Sequence, residues 1–308
     1  MNNKDIAMRE AWYVPYHASA LVGERVMVLA PHPDDEVFGC GGALAQLVAQ
    51  GSEIQVIIAT QGPQAALRLC ESKKAARLLG YPAPVNWAFI DRGLEEAREA
   101  LTQQLLDALL DFQPDLLLAP SCWEMHPDHR AACDAALQAG TRFVEQSDTL
   151  LKIALYEIGV PLSANQLVDI SSVSALKAEA MQCFESQLAE QRYAEQIAGL
   201  NQYRSYTLGL GVTAAEAFHI VPADAVSATM ALPSVQDQAL LRCEKALQQS
   251  ELEYTHRIDS LQNEKAVLQK MLKDCQHARQ EAEGTLQAIY ATRSWRWLSR
   301  LKYLLGRG

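Results

Sequence analysis

The sequence predicts a doubly wound, mostly parallel α/β domain followed by a long helical extension. Three observations carry that reading. Between residues 25 and 170, short apolar β-branched runs alternate with longer helical stretches. Two clusters of histidine and carboxylate follow the first and fourth of those runs. From Val235 onward a seven-residue apolar period replaces the alternation.

The runs Val26–Ala30, Ile54–Thr60, Trp87–Ile90, Leu116–Ala119 and Ile153–Ile158 read as buried strands, because each is nearly continuous in apolar residues. The helices between them carry their own stop signals. Ala43–Gln50 ends at Gly51 and Ala65–Leu79 at Gly80, both C-cap glycines. Leu94–Phe112 stops before Pro114, and His129–Gln146 follows the fourth strand. Right-handed crossovers turn this order into a Rossmann-like sheet with helices on both faces. Residues 171–206 read as helical, and 211–221 hold a last strand. In such sheets ligands bind beyond the carboxyl ends of the strands, where strand order reverses. Chemistry is therefore expected just after Ala30, Thr60, Ile90 and Ala119.

The expected layout is a catalytic domain over 1–221, a linker over 222–234 that holds Pro222 and Pro233, a coiled coil over 235–290 and a basic amphipathic tail over 291–308. Leu240, Leu247, Tyr254, Leu261, Leu268, Cys275, Ala282 and Ile289 recur every seven residues, with Ile258, Leu272 and Leu286 four residues after members of that row. Glu244, Glu251, Lys265 and Arg279 interrupt the second row. A helix folded back on the globular domain is the competing reading; the uniformly polar outer faces favour a coiled coil.

Composition sets limits. The net charge of -10 argues against a nucleic-acid binder. It averages unlike parts: residues 234–308 hold 12 basic and 9 acidic residues, against 15 and 28 before them. Seven cysteines without a C-x-x-C pair suggest neither a disulfide framework nor a thiolate metal site, and point to a reducing compartment. The first residues lack a cationic stretch followed by an apolar run, so no secretory signal is expected. No run of 18 apolar residues exists, so no membrane span is expected, and the cytoplasm is the expected location.

The first strand runs into His32-Pro33-Asp34-Asp35-Glu36, and the fourth into His126-Pro127-Asp128-His129. Adjacent carboxylates at a buried strand end are costly unless a cation compensates them. A catalytic zinc takes three protein ligands and leaves one position open. His32, one carboxylate of the first cluster and one histidine of the second form such a set, leaving a carboxylate and a histidine for proton transfer. Gly39, Gly41 and Gly42 permit close backbone approach but do not form G-x-G-x-x-G, so no dinucleotide site is expected.

Pro31–Glu36 with the three glycines, and His126–His129, resemble the two signature motifs of the LmbE-like, or PIG-L, deacetylases. Thr60-Gln61-Gly62, the Arg68, Glu71, Ala75 and Leu79-Gly80 series and Asp91 are similar as well. The resemblance spans roughly residues 24–220. It implies zinc-dependent removal of acetyl groups from N-acetylglucosaminyl compounds. By that resemblance His32, Asp35 and His129 are the metal ligands, and Asp34 is the general base acting on the metal's water. His126 stabilises the oxyanion, held by Asp128, and Arg68 contacts substrate. Iron(II) would also accept this ligand set. Glu124 has no assigned role, and Glu216 and His219 read more readily as core residues than as site residues.

The tail ATRSWRWLSRLKYLLGRG puts Arg293, Arg296 and Arg300 on one helix face and Trp297, Leu301 and Leu304 on another. That pattern suits either a membrane surface, at the cytoplasmic face, or a protein contact. It is similar to tails of bacterial surface-polysaccharide enzymes, which would make a lipid-linked or lipopolysaccharide-type sugar the substrate. Partners expected are therefore an N-acetyl amino-sugar, an anionic membrane surface, and a second copy or other helix along the coiled coil. The competing functions are an amidase of a non-sugar conjugate and a non-catalytic sugar-binding module recruited through its coiled coil.

Overall fold

The computed structural model describes residues 17–226, 235–304 and 306. The chain divides into two units, Met1–Ala239 and Leu240–Gly308. Among the described residues the first contains eight strands: β1 (His17–Ala18), β2 (Arg25–Ala30), β3 (Glu53–Gln61), β4 (Val85–Ile90), β5 (Leu116–Pro120), β6 (Lys152–Tyr156), β7 (Gln166–Asp169) and β8 (Ala215–Pro222). They form one sheet in the order β1-β7-β8-β6-β5-β2-β3-β4. All pairings are parallel except those of β8, which runs antiparallel between β6 and β7. The stretch β4-β3-β2-β5-β6 is the doubly wound order, and its reversal lies between β2 and β5.

Alternation along the central strand distributes the core. Val26 and Val28 face one layer while Met27 and Leu29 face the other. The first layer holds α1 (Asp35–Gln50) and α2 (Ala65–Leu79), together with the later helices α5 (Ser174–Met181), α6 (Glu185–Leu188) and α7 (Tyr193–Arg204). The opposite layer holds α3 (Arg98–Phe112) and α4 (Pro127–Gln146).

Several element limits differ from the sequence expectation. β1 and β7 had no strand signal, because two and four residues are too short for an alternation to register. The helical stretch 171–206 is broken into α5, α6 and α7. α1 starts at Asp35, not Ala43, and is interrupted at Cys40, whose φ of -139° is not helical. Just past that break, the Glu216 carboxylate accepts the N–H of Gly42 at 2.7 Å and of Ala43 at 2.8 Å. The expected start at Ala43 thus matches a real internal N-terminus, capped from β8. α3 begins at Arg98 rather than Leu94, and α4 at Pro127 rather than His129, with His126 as its N-cap.

Most of the expected linker, residues 227–234, lies outside the described residues. Its first part is not a free tether. Pro222 closes β8, and Ala223 is buried in a short 3-10 turn and donates its N–H to Leu151 O at 2.9 Å. The second unit holds α8 (Val235–Ala291) from Leu240 onward and α9 (Arg293–Leu304). Among the described residues, no helix is long and apolar enough to cross a membrane.

Candidate active site

The site forms where the sheet order reverses. Ala30 ends β2, and the chain turns through His32 and Pro33 into α1, which presents Asp35 in its first turn. β5 ends at Pro120, and the following loop leads through Glu124 and His126 into α4, which carries Asp128 and His129. β2 and β5 are paired neighbours, so the two polar clusters meet.

Three lone-pair atoms converge. His32 Nδ1 lies 3.1 Å from Asp35 Oδ2, His129 Nε2 lies 3.2 Å from the same oxygen, and the two nitrogens are 3.3 Å apart. A tetrahedral ion with bonds of 2.0–2.1 Å requires ligand atoms about 3.3 Å apart. The triangle therefore has the dimensions of one face of such a coordination shell, and these residues fit the metal. Two broader groupings share the position: His32, His126 and His129, and His32 with Asp91, His126 and Asp128, each set within 4.8 Å.

The remaining ring nitrogens face carboxylates. His32 Nε2 is 3.2 Å from Asp91 Oδ1 and 3.4 Å from Asp128 Oδ2. His129 Nδ1 is 3.5 Å from Glu124 Oε2. Carboxylates in this position fix a ligand histidine's tautomer and orientation and raise its basicity. Burial lowers the pKa of His32, but contacts with Asp128, Asp35 and Asp91 outweigh it, and the net is well above the ordinary value. For His129 burial is likewise overcome, by Asp35 and Glu124, and the pKa rises to about 9. Burial pushes Asp35 up, yet the two histidines outweigh it and hold it well below the carboxylate range. Such a field favours positive charge at the triangle.

Asp128 departs from the expected arrangement. Its carboxylate accepts the N–H of Arg92 at 2.6 Å and of Leu94 at 3.1 Å, and faces His32. What holds His126 is the Asp128 backbone N–H, which donates to His126 Nδ1 at 3.2 Å. The reason is local: His126 caps the helix, and a cap side chain accepts from the first turn. With Nδ1 committed as acceptor, the neutral ring carries its proton on Nε2. Burial, with His32 and His129 nearby, keeps the His126 pKa below its ordinary value. The ring is thus a neutral donor.

Asp34 sits beside the triangle in a strained backbone conformation, φ 123°. Such outliers cost of order 1–3 kcal/mol and persist only when the surroundings impose them. Its N–H donates to Glu36 Oε2 at 3.0 Å, and its carbonyl accepts from Val37 and Phe38 at 2.9 Å each. Its carboxylate accepts from Arg68 Nη2 at 3.2 Å, and the same nitrogen donates to Pro33 O. Burial and the neighbouring Asp35 charge push the Asp34 pKa well up, with Arg68 partly opposing.

These groups open into a cavity of about 480 Å³, also lined by Phe38, Arg92, Met125, Gln187 and Tyr193. None of those five was singled out in the sequence as a cavity residue. Ser186 explains how Gln187 arrives: its hydroxyl and N–H donate to Glu71 at 2.6 and 2.9 Å, tying α6 to α2. Glu124 was unassigned by sequence; its position two residues before His126 was the available signal. Glu216 and His219 lie in the core. Glu216 pairs with Lys177 at 2.7 Å, and His219 Nδ1 bonds Ser163 O at 2.7 Å beside the Trp123 ring.

Residues 27–140 match the family model described as PIG-L, GlcNAc-PI de-N-acetylase. This chain carries a PIG-L family domain. It is 29% identical over 191 residues to the diacetylchitobiose deacetylase of Thermococcus kodakarensis, covering 54% of this chain and 71% of that protein. A 44-residue segment is 48% identical to a 1D-myo-inositol 2-acetamido-2-deoxy-alpha-D-glucopyranoside deacetylase of Corynebacterium glutamicum, spanning 14% of this chain and 15% of that one. Among solved structures, the chain resembles an N,N'-diacetylchitobiose deacetylase from Pyrococcus horikoshii, with TM-score 0.57 and 26% identity over 68% of this chain and 88% of that one.

Proposed function

We propose that this PIG-L protein is a metal-dependent hydrolase that removes the acetyl group from an N-acetylated amino-sugar. The observation that carries the reading is the His32, Asp35 and His129 triangle with edges of 3.1–3.3 Å, set beside a buried Asp34 at the floor of an open cavity. The sugar substrates named for the similar proteins support the substrate class.

His32, Asp35 and His129 would hold the ion, for which we propose zinc. When bound, such an ion supplies Lewis acidity, polarising a carbonyl and acidifying water at neutral pH. The residues around it do the rest. Asp34, with its raised pKa, accepts a proton from the attacking water and delivers it to the departing nitrogen as the amide C–N bond breaks. His126 donates from Nε2 to the oxygen on which negative charge develops. Arg68 holds Asp34 in place and lines the cavity where the sugar would sit.

Metal analysis combined with acetate release from free, nucleotide-linked and lipid-linked N-acetylhexosamines tests this. Asp34→Asn is expected to keep the metal and lose turnover by ~10²–10⁴-fold, the usual worth of a proton-transferring group. A native protein that releases acetate from no N-acetyl sugar, or does so fully after chelation, overturns the reading. Release from non-sugar amides alone would favour the amidase alternative.

For the layout we propose a catalytic domain over 1–221, a coiled-coil helix over 235–290 and a basic tail over 291–308. The exposure of Leu247, Tyr254, Ile258, Leu261, Leu268 and Leu272 along α8 supports pairing with a second helix.

A further inference from the structure

α9 is a helix of its own rather than a continuation of α8. The helical run breaks at Thr292, whose hydroxyl donates to Ile289 O at 2.7 Å and accepts the N–H of Trp295 at 3.3 Å. That second contact is an N-cap, reaching the third residue of the new helix. The break lets the amphipathic face of α9 be set without reference to the seam of α8. The Tyr290 and Trp295 rings meet across it at 5.2 Å.

The helix runs Arg293–Leu304, about 18 Å at 1.5 Å per residue. At about 100° per residue, Arg293, Arg296 and Arg300 fall within an arc of about 60°, and Leu304, Trp297, Leu301 and Leu298 occupy about 120° beside it. None of these apolar side chains is buried: Trp297 is 64% exposed and Leu304 83%. Residues 293–308 hold five basic residues and no acidic one, in a chain whose net charge is -10.

We propose that α9 docks on a lipid surface bearing anionic headgroups. The leucines would enter the acyl boundary and the arginines would lie among phosphates, with the Trp297 ring at headgroup depth. The charge pattern selects this occupant. Arginine and tryptophan also suit protein interfaces, but there each arginine needs an acceptor at a fixed position, whereas an anionic bilayer neutralises a single-sign cluster in any azimuthal orientation. The apolar arc adjoins the arginines directly, as an interfacial helix requires.

The full chain would be co-sedimented with phosphatidylcholine vesicles, and with vesicles in which about three lipids in ten are phosphatidylglycerol, at low and high salt. At least ~10-fold more protein is expected on the anionic vesicles at low salt, with the excess lost at high salt. Arg293→Gln, Arg296→Gln and Arg300→Gln together should abolish the preference for anionic vesicles. Trp297→Ser with Leu301→Ser should abolish binding to both. All five positions are exposed and lie outside the catalytic unit, so an unchanged helical circular-dichroism signal checks that each variant is folded. Equal or negligible sedimentation on the two vesicle types overturns the proposal. So does a lipid-free oligomer, seen by light scattering, that the Trp297 and Leu301 variant dissolves while vesicle binding stays unchanged.

Discussion

The Glu124 carboxylate stands 3.5 Å from His129 Nδ1 while accepting the N–H of Ile158 at 2.7 Å and Gly159 at 3.0 Å. One buried side chain thus ties a ligand histidine on α4 to the loop after β6. Glu124→Gln keeps acceptor capacity for the loop but loses the negative charge beside the imidazole. Metal affinity, measured by competition with a chelator, should fall ~10–100-fold, the usual cost of losing such a partner. Unchanged affinity would mean that Glu124 serves the loop alone.

Lys177 and Glu216 form a charge pair in the core, 1% exposed at each end. Lys177 also donates to Phe38 O at 2.9 Å and Asn201 Oδ1 at 3.0 Å. Lys177→Met leaves the Glu216 charge buried with only backbone donors, and should destabilise the globular unit by about 3–5 kcal/mol. Lys177→Met combined with Glu216→Gln should recover part of that loss. Urea unfolding of the two variants measures the difference; equal stabilities would show that the charge is not what costs.

Gly39 lies in the first half of α1, where an added Cβ would come within 2.3 Å of the Tyr156 ring. Tyr156 cannot yield easily, since it is fully buried and donates to Leu29 O at 2.8 Å. Gly39→Ala should therefore cost about 1–3 kcal/mol as overpacking. Because α1 starts at the site, metal affinity should drop with it. A melting temperature equal to the parent's would refute the close contact.

His219 is buried, and burial, only partly offset by its bond to Ser163 O, lowers its pKa below the ordinary value. The sign follows. Above the unfolded-state value of about 6.5 both states are neutral and His219 adds no pH dependence. As pH falls below it the unfolded chain takes up a proton that the folded state refuses, so stability drops by up to about 1.4 kcal/mol per pH unit. The stability advantage of the parent over His219→Gln should thus shrink between pH 7 and pH 5. An advantage independent of pH would contradict this.

Much of the site was legible because it is local in sequence. His32 with Asp34 and Asp35, and His126 with His129, stand in two short clusters after apolar runs, and strand-end chemistry made them conspicuous. Some of the partners that orient them lie outside those two clusters. Asp91 follows β4, and Glu124 is a single acid in a loop. Asp128 was expected to serve His126 through its carboxylate. The helix start instead turned its N–H toward His126 and its carboxylate toward His32. Gln187 and Tyr193, more than fifty positions beyond the second cluster, reach the cavity through tertiary contacts, Gln187 beside the Ser186 bond to Glu71 and Tyr193 with its ring 5.9 Å from that of Phe38.

By itself the sequence determined the strand–helix alternation, the doubly wound class, the two polar clusters and the heptad row, since each depends on periodicity or adjacency along the chain. Tertiary structure alone decided the antiparallel β8 between β6 and β7, and the broken α1 capped by Glu216 from 173 positions away. It also brought two imidazole nitrogens and a carboxylate oxygen to 3.1–3.3 Å. The physical reason is common to all three. Long-range pairing is chosen by what satisfies buried backbone groups and buried charge, and neither requirement leaves a repeating mark in the order of residues.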